Sequence, residues 1–464
     1  VDEFARIQHW TAQRQSGPWQ AERGVVDGIG DDAAVVDLAA AADGVAEPKR
    51  LVLAVDTMVE TVHFLPETMR EQDVGYKALA ANVSDIAAMG GVPLHALVSV
   101  SVPRSYGPER MRRLYDGLYE CAERYGVAVV GGDTTSSPSH LVVAVTVTGT
   151  VTAGQELRRS GAKPGDVVFV TAATGLAAAG LHALLARGGE AAATASAPAD
   201  HAAGGSLEAP FDGGAGKEAW SGGGAGREET FDGDVDRGEP SDGGAGREVP
   251  SDGGAESEEL PGGGVDREEP SDDGTASSVP FDGGGDREVP HTFIRSMGVA
   301  VEEFGVIAAI AGSSGVQPEQ AARIVQAHRR PSPSVRAGRL LQEHGCRSLN
   351  DVSDGLASEA WELAEASGLR LVLEESLLPI SGSLAAYAAA VGRNPLDWIL
   401  YGGEDYALLG TLAPEQADAA RAAFRKEGIP FFVIGRTEAG APDVELDNGK
   451  QRLKLQKRGY NHFS

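Results

Sequence analysis

The sequence predicts an α/β (α+β) chain in two lobes, and three observations carry that prediction. Valine-rich runs end in Gly, Asp or Pro; amphipathic stretches closed by glycine fall between them; and the cycle occurs twice, on either side of a long glycine- and acid-rich tract. Strands that alternate with helices build layers of sheet and helix, with functional residues at the junctions.

In the first cycle the small apolar run of "GIGDDAAVV" looks like a buried strand, and "RLVLAVDT", "LHALVSVSVP", "GVAVVGGD", "HLVVAVTVTGTV" and "DVVFVTA" read as strands. "EQDVGYKALAANVSDIAAMG" and "PERMRRLYDGLYECAERYG" carry apolar residues at helical spacing with a closing glycine and read as helices. In the second cycle "LAAAGLHALLA", "PSVRAGRLLQEHG", "DGLASEAWELAEASG" and "PEQADAARAAFRKEG" are helical, alternating with "LRLVL", "YALLGTL" and "PFFVIGR" as strands. The boundary between lobes falls near residue 150, giving segments 1–150 and 151–464.

The tract between the cycles is of another kind. From Phe211 to Pro290 the chain falls into eight ten-residue units such as "FDGGAGKEAW" and "SDGGAGREVP". They hold 22 acidic residues against 6 basic ones, a net −16 of the chain's −28, which leaves −12 for all the rest. So few large apolar residues cannot offset the entropy of ordering, so the tract and its low-complexity approach, about 188–291, read as a disordered insertion within the second lobe.

Net charge argues against a nucleic-acid surface. Two cysteines among 464 residues make neither a disulfide framework nor a Cys-rich zinc site, which points to a reducing cytoplasm. No run approaches the length of a membrane span, and the first residues lack the apolar core of a signal peptide. The P-loop pattern and the protein-kinase glycine loop are both absent.

What the chain has instead is carboxylates at junctions: Asp31 and Asp32 in "GIGDDAAVV", Asp56 in "LVLAVDT", Asp85 in "NVSDIAAMGG", Asp133 in "VVGGDTT", Asp351 and Asp354 in "NDVSDGL", and Glu404 and Asp405 in "YGGEDY". Each is expected at the end of an apolar run beside Gly, Ser or Thr. Carboxylates gathered from distant strands cannot all stay ionised without cations. Hard oxygen donors beside hydroxyls suit Mg²⁺, and Mg²⁺ usually brings phosphate.

These motifs, with "AVDTMVETVHF", "GYKALAANVSDIAAMGGVP", "RSGAKPGD", "RRPSPSVRAG" and the terminal "KRGYNHF", stand in an order that resembles the thiamine-monophosphate kinases, a family of the aminoimidazole ribonucleotide synthetase superfamily. The resemblance runs nearly end to end and skips only the insertion. It implies ATP-dependent phosphorylation of thiamine phosphate on a two-lobed fold whose first lobes pair into a homodimer, with several Mg²⁺ ions as cofactor. It also implies Asp32, Asp56, Asp85, Asp133, Asp351 and Asp354 as magnesium ligands, Asp133 and Asp351 being central to catalysis. Tyr115, Gly132, Asp133, Arg159 and Ser353 would meet the nucleotide, and His63, Glu404 and Tyr460 the acceptor. Lys77 reads as a solvated helix lysine, with phosphate contact the other reading.

Some positions depart from the family pattern: Ala54 and Val55 replace hydroxyl residues before Asp56, Ser334 stands where arginine is frequent, and Asn461 where aspartate is. Two alternatives stay open at this point, another ATP-dependent superfamily member such as an aminoimidazole ribonucleotide synthetase, and an inactive acidic cation-binding scaffold.

Overall fold

The computed structural model describes residues 18, 25–27, 34–37, 49–195 and 303–458. Asp31, Asp32, Tyr460 and Asn461 lie outside these residues, as does the expected insertion from residue 196 onward.

Strands β1 (Val25–Asp27), β2 (Ala34–Asp37), β3 (Lys49–Val59), β4 (Val92–Pro103), β5 (Ala128–Ser137) and β6 (Val142–Thr152) form one sheet in the order β1-β2-β3-β6-β4-β5. Neighbours are antiparallel except β4 and β5. A parallel pair needs a crossover, which helix α2 (Pro108–Tyr125) supplies. Along β6 the valines Val143, Val145, Val147 and Val151 face inward and the threonines between them outward, so one face is core and the other open.

A second sheet holds β7 (Val167–Val170), β8 (Ser348–Asp351), β9 (Arg370–Glu374), β10 (Leu408–Leu412), β11 (Phe432–Glu438), β12 (Asp443–Asp447) and β13 (Arg452–Lys454), ordered β13-β12-β9-β11-β7-β10-β8. β7 precedes the acidic tract yet lies between β10 and β11, which follow it, so chain on both sides of the tract shares one sheet. Helix α3 (Leu176–Ala195) runs past residue 188, where the sequence reading begins the insertion. The alanines of "EAAATA" explain that, alanine being the best helix former. Around this sheet lie α4 (Phe304–Ser314), α5 (Pro318–Arg329), α6 (Val335–Glu343), α7 (Leu356–Ser367), α8 (Gly382–Val391), α9 (Pro395–Tyr401) and α10 (Pro414–Lys426).

Helix α1 (Glu71–Ala88) joins the two halves. Of its 18 residues, 15 are buried, including the polar Asp73, Lys77, Asn82 and Ser84. Leu79, Val83 and Ile86 enter the core of the first sheet, while Ala88 enters a cluster with Phe169, Leu340, Leu349 and Phe424 of the second half. A helix buried all round cannot show a single apolar stripe. Asp73, Lys77, Ser84 and Ala87, spaced by four, seven and three residues, lie along one helical face. Each meets the second half of the chain: Arg330, Glu404, Asp351 and Gly338 respectively.

On its other side α1 crosses α2 through two glycines. A Cβ at Gly75 would stand 1.9 Å from the Leu114 carbonyl oxygen, and one at Gly117 1.8 Å from that of Gln72. Alanine at either site would gain about 1 kcal/mol of helix propensity, but the helices would have to separate, at a cost of about 1–3 kcal/mol or more. Gly117→Ala is therefore expected to lower the midpoint of thermal unfolding. A raised midpoint would show that α1 and α2 can move apart freely.

Candidate active site

The acids do not all sit where strands end. Asp56 is inside β3 and Asp133 inside β5, because both ladders continue past them. The glycine pair before Asp133 ends no strand: a bulge at Val130 and the bare backbone of Gly132 keep β5 against β4. A Cβ at Gly132 would lie 1.8 Å from the Val98 carbonyl oxygen, which is why glycine stands there.

Register decides which face each acid takes. Asp56, Val145, Val98 and Gly132 form one row across the sheet, and Thr57, Ala144, Ser99 and Asp133 the next, so Asp56 and Asp133 point to opposite faces. Asp56 shares the helix-covered face with Val52, Ala54 and Met58 but is exposed, so that face is left uncovered at Asp56. Asp133 and Gly132 line a cleft of about 430 Å³ with Tyr115, Tyr119, Val98 and Thr134. Tyr115 packs one side against the core and stands 6.4 Å from the Tyr119 ring, with burial pushing its phenol up. Tyr115 from one motif and Gly132 and Asp133 from another are thus brought together.

A second group gathers on the other face. Asp351 ends β8, is buried, and accepts a 2.6 Å hydrogen bond from Ser84 Oγ of α1. The loop after it is held by Glu359 of α7, a buried carboxylate that accepts from Asn350 Nδ2 (2.5 Å), the Asp354 amide (3.0 Å) and Ser353 Oγ (3.3 Å). Arg159 Nε in turn donates to Asn350 Oδ1 at 3.2 Å, so Arg159, Ser353 and Asp354 share one support.

The "GGEDY" segment lies against that loop. The amides of Glu404 and Tyr406 donate to the carbonyls of Ser353 and Val352 at 2.6 and 2.9 Å. Both residues take positive φ, 68° and 51°, and together with Thr61 they are the non-glycine residues that do so among the described residues. Backbone strain of this kind collects at functional sites. The Tyr406 phenol is pushed well up, first by burial and then by the negative charges of Glu404, Asp56, Asp351 and Asp85. Asp405 turns the other way and takes hydrogen bonds from the Gly175 and Ala177 amides at the start of α3, at 2.5 and 3.2 Å. Burial pushes its carboxyl up to about 7 against the pull of those amides.

Lys77 is not solvated: none of its side chain is exposed and its Nζ lies 2.5 Å from Glu404 Oε1. His63 sits in the turn after β3, where Nδ1 accepts from the Val59 amide at 2.9 Å, so its proton is on Nε2. Sequence reasoning missed Glu359, Lys77 and His328 as site-building residues; only the acidic "NDVSDGLASE" run hinted at Glu359.

The oxygen-rich donor set tests the expectation of magnesium. Among the described residues no three His, Cys, Asp or Glu side chains are close enough to hold one ion. Mg²⁺ rarely uses such cages and takes one or two carboxylates with waters and substrate phosphates. Asp351, aimed by Ser84 Oγ of the helix that also carries Asp85 and the unpartnered buried Oδ1 of Asn82, meets that demand. The residues present fit the ion.

Glu359→Ala should leave three donors unsatisfied in a buried place. It is expected to cost about 2–4 kcal/mol of stability and to raise hydrogen exchange in residues 350–355, whereas unchanged exchange there would mean that the loop holds itself.

Residues 30–151 match the N-terminal domain of the AIR synthase related protein family, and residues 301–447 its C-terminal domain. Thiamine-monophosphate kinase of Bacillus subtilis is 32% identical over 94% of this chain and 93% of its own length. The Escherichia coli enzyme of the same name is 25% identical over 94% of this chain and 92% of its own. Two solved structures share the fold. "AaThiL complexed with AMPPCP and TMP" has a TM-score of 0.61 at 23% identity, covering 100% of this chain and 97% of that one. Thiamine-monophosphate kinase from Stenotrophomonas maltophilia has a TM-score of 0.55 at 24% identity, covering 96% and 95%. With both halves of the fold matched and that relative aligned along nearly its whole length, the chain belongs to the AIR synthase related proteins, and among them to the thiamine-monophosphate kinase family.

Proposed function

We propose that this chain transfers the γ-phosphoryl group of ATP to thiamine phosphate, forming thiamine diphosphate. The observation that carries the reading is that Asp351, Ser353, Asp354 and Glu404 are drawn into one bonded group through Ser84, Glu359 and Lys77, in a chain of this family.

The acceptor's chemistry sets what the residues must do. A phosphate monoester has a second pKa of about 6, so its attacking oxygen is already an anion at neutral pH and needs no general base. The new bond joins that oxygen to the γ-phosphorus, and the bond to the β,γ-bridging oxygen breaks, leaving ADP. Two anions must be aligned and their repulsion neutralised, so catalysis rests mainly on positioning and charge compensation. Bound Mg²⁺ ions supply that compensation on the phosphate oxygens.

In this reading Asp56, Asp85, Asp351 and Asp354, with Asp32, hold the ions, and Ser84 keeps Asp351 aimed. Tyr115, Gly132 and Asp133 receive the nucleotide in their cleft, Asp133 also as a metal ligand. Arg159 and Ser353, both steadied through Glu359, face its phosphates. His63, Glu404 and Tyr460 receive the acceptor. Segment 1–150 is the nucleotide, metal and pairing domain, and segment 151–464 closes the site.

The partner is a second copy. Val55, Leu97 and Val130 are 63%, 48% and 60% exposed. Val55 and Leu97 both pair with Thr146 in register, on the face away from α1 and α2. An open apolar face of this kind is an association surface, and pairing there would lay the Asp133 cleft alongside the second copy. The setting is the cytoplasm: Cys121 and Cys346 are free thiols, buried and pushed well up by that burial. No helix among the described residues is long and apolar enough to cross a membrane.

Purified protein with ATP and Mg²⁺ should phosphorylate thiamine phosphate faster than free thiamine and stop when the cation is chelated. Asp133→Asn should then cost several orders of magnitude in rate; a loss under about tenfold, or ~1.4 kcal/mol, would make Asp133 structural. Leu97→Glu is expected to yield monomers in sedimentation, and an unchanged sedimentation coefficient would move the pairing surface elsewhere.

A further inference from the structure

Three energetic costs fall on one side chain. Lys77 brings a fully buried ammonium group to 2.5 Å from Glu404 Oε1. His328 of α5, 1% exposed, puts Nδ1 at 3.3 Å from Glu404 Oε2, and its Nε2 has no hydrogen-bond partner. Glu404 itself holds φ at 68°, a conformation that glycine would adopt without strain.

Stability alone does not account for this arrangement. A buried ion pair is often no better than an apolar pair of the same shape, and an imidazole nitrogen sealed in without a hydrogen bond is a net cost. Yet 30% of the Glu404 side chain still meets solvent, while both of its flanks are buried. Burial would raise its carboxyl, but Lys77 and His328 outweigh that and hold it at about 2. The carboxylate is therefore an anion across the physiological range, with each oxygen beside a buried group and part of the side chain still exposed.

We propose that Lys77 and His328 are positioning residues that fix Glu404 as the specificity carboxylate for the cationic ring of the acceptor, so that the cluster selects a quaternary thiazolium over an uncharged ring. The inference rests on the reading of thiamine phosphate as acceptor. Neither Lys77 nor His328 touches the ring; each acts through the one carboxylate.

The test uses the full chain, saturating ATP and Mg²⁺, and two acceptors, thiamine phosphate and its isostere that keeps the pyrimidine but has a neutral thiophene in place of the thiazolium. Wild-type protein should show the lower KM for the cationic acceptor. Glu404→Gln should raise that KM about tenfold or more, the scale of losing one charge partner, leave the KM for ATP within about twofold, and abolish the preference. Lys77→Met and His328→Leu should each reduce the preference while Glu404 remains. Lys77→Met/Glu404→Gln removes both charges but keeps shape, and should unfold near the wild-type temperature with the preference still lost, which separates positioning from packing. A preference that survives Glu404→Gln, or that returns in the double variant together with its stability, overturns the proposal. Wild-type protein that turns over neither acceptor overturns the acceptor reading and takes this inference with it, an outcome distinct from both.

Discussion

Everything in the site hangs on a helix that has no outside. Because α1 is buried along nearly its whole length, its polar side chains need partners within the protein, and Asp73, Lys77 and Ser84 find theirs in Arg330, Glu404 and Asp351. These contacts are the seam between the two halves of the chain. Removing Glu404 would strand the buried Lys77 ammonium, at about 3–5 kcal/mol, so the seam tolerates little change in register. The contacts that hold the halves together are also those that place Asp351 and Glu404, and fold and site cannot be adjusted independently.

The loops of the site carry little structure of their own and borrow it from one another. Glu359 gathers Asn350, Ser353 and Asp354. The Glu404 and Tyr406 amides bind back to the same loop, and Asp405 is committed to the start of α3. Two adjacent acids thus do unrelated jobs: Asp405 satisfies helix amides that would otherwise be orphaned, while Glu404 faces Lys77. That division is set by one residue's difference in backbone direction, and the positive φ at Glu404 and Tyr406 is the local strain that accompanies it.

Much of this could be read in the sequence. The β-branched runs became β3, β4, β6 and β9, because alternation or burial of valine leaves few other conformations. The carboxylate motifs were legible because acids beside glycine and hydroxyls are rare in a core. What was hidden depends on pairs distant in the chain. Lys77 looks like an ordinary helix lysine until Glu404 is brought to it. Asp405 looks fit for a metal until the amides before α3 arrive. The glycines before Asp133 look like a strand end, but a close approach to Val98 turns them into a means of continuing β5. Opposite faces for Asp56 and Asp133 follow from register, which no single strand discloses. Short elements such as β8 and β13 lack enough residues to display a period at all.

The seam also has a thermal character. Taking an ammonium group and a carboxylate out of water is costly chiefly because their hydration is favourable, and that hydration becomes less favourable as temperature rises. The stabilisation from apolar contacts such as those of Leu79 and Ile86 with the first sheet levels off on heating. The Lys77–Glu404 and Asp73–Arg330 pairs therefore grow stronger relative to the surrounding core as the protein warms. The junction that aligns the site gives way later on heating than its polarity would suggest.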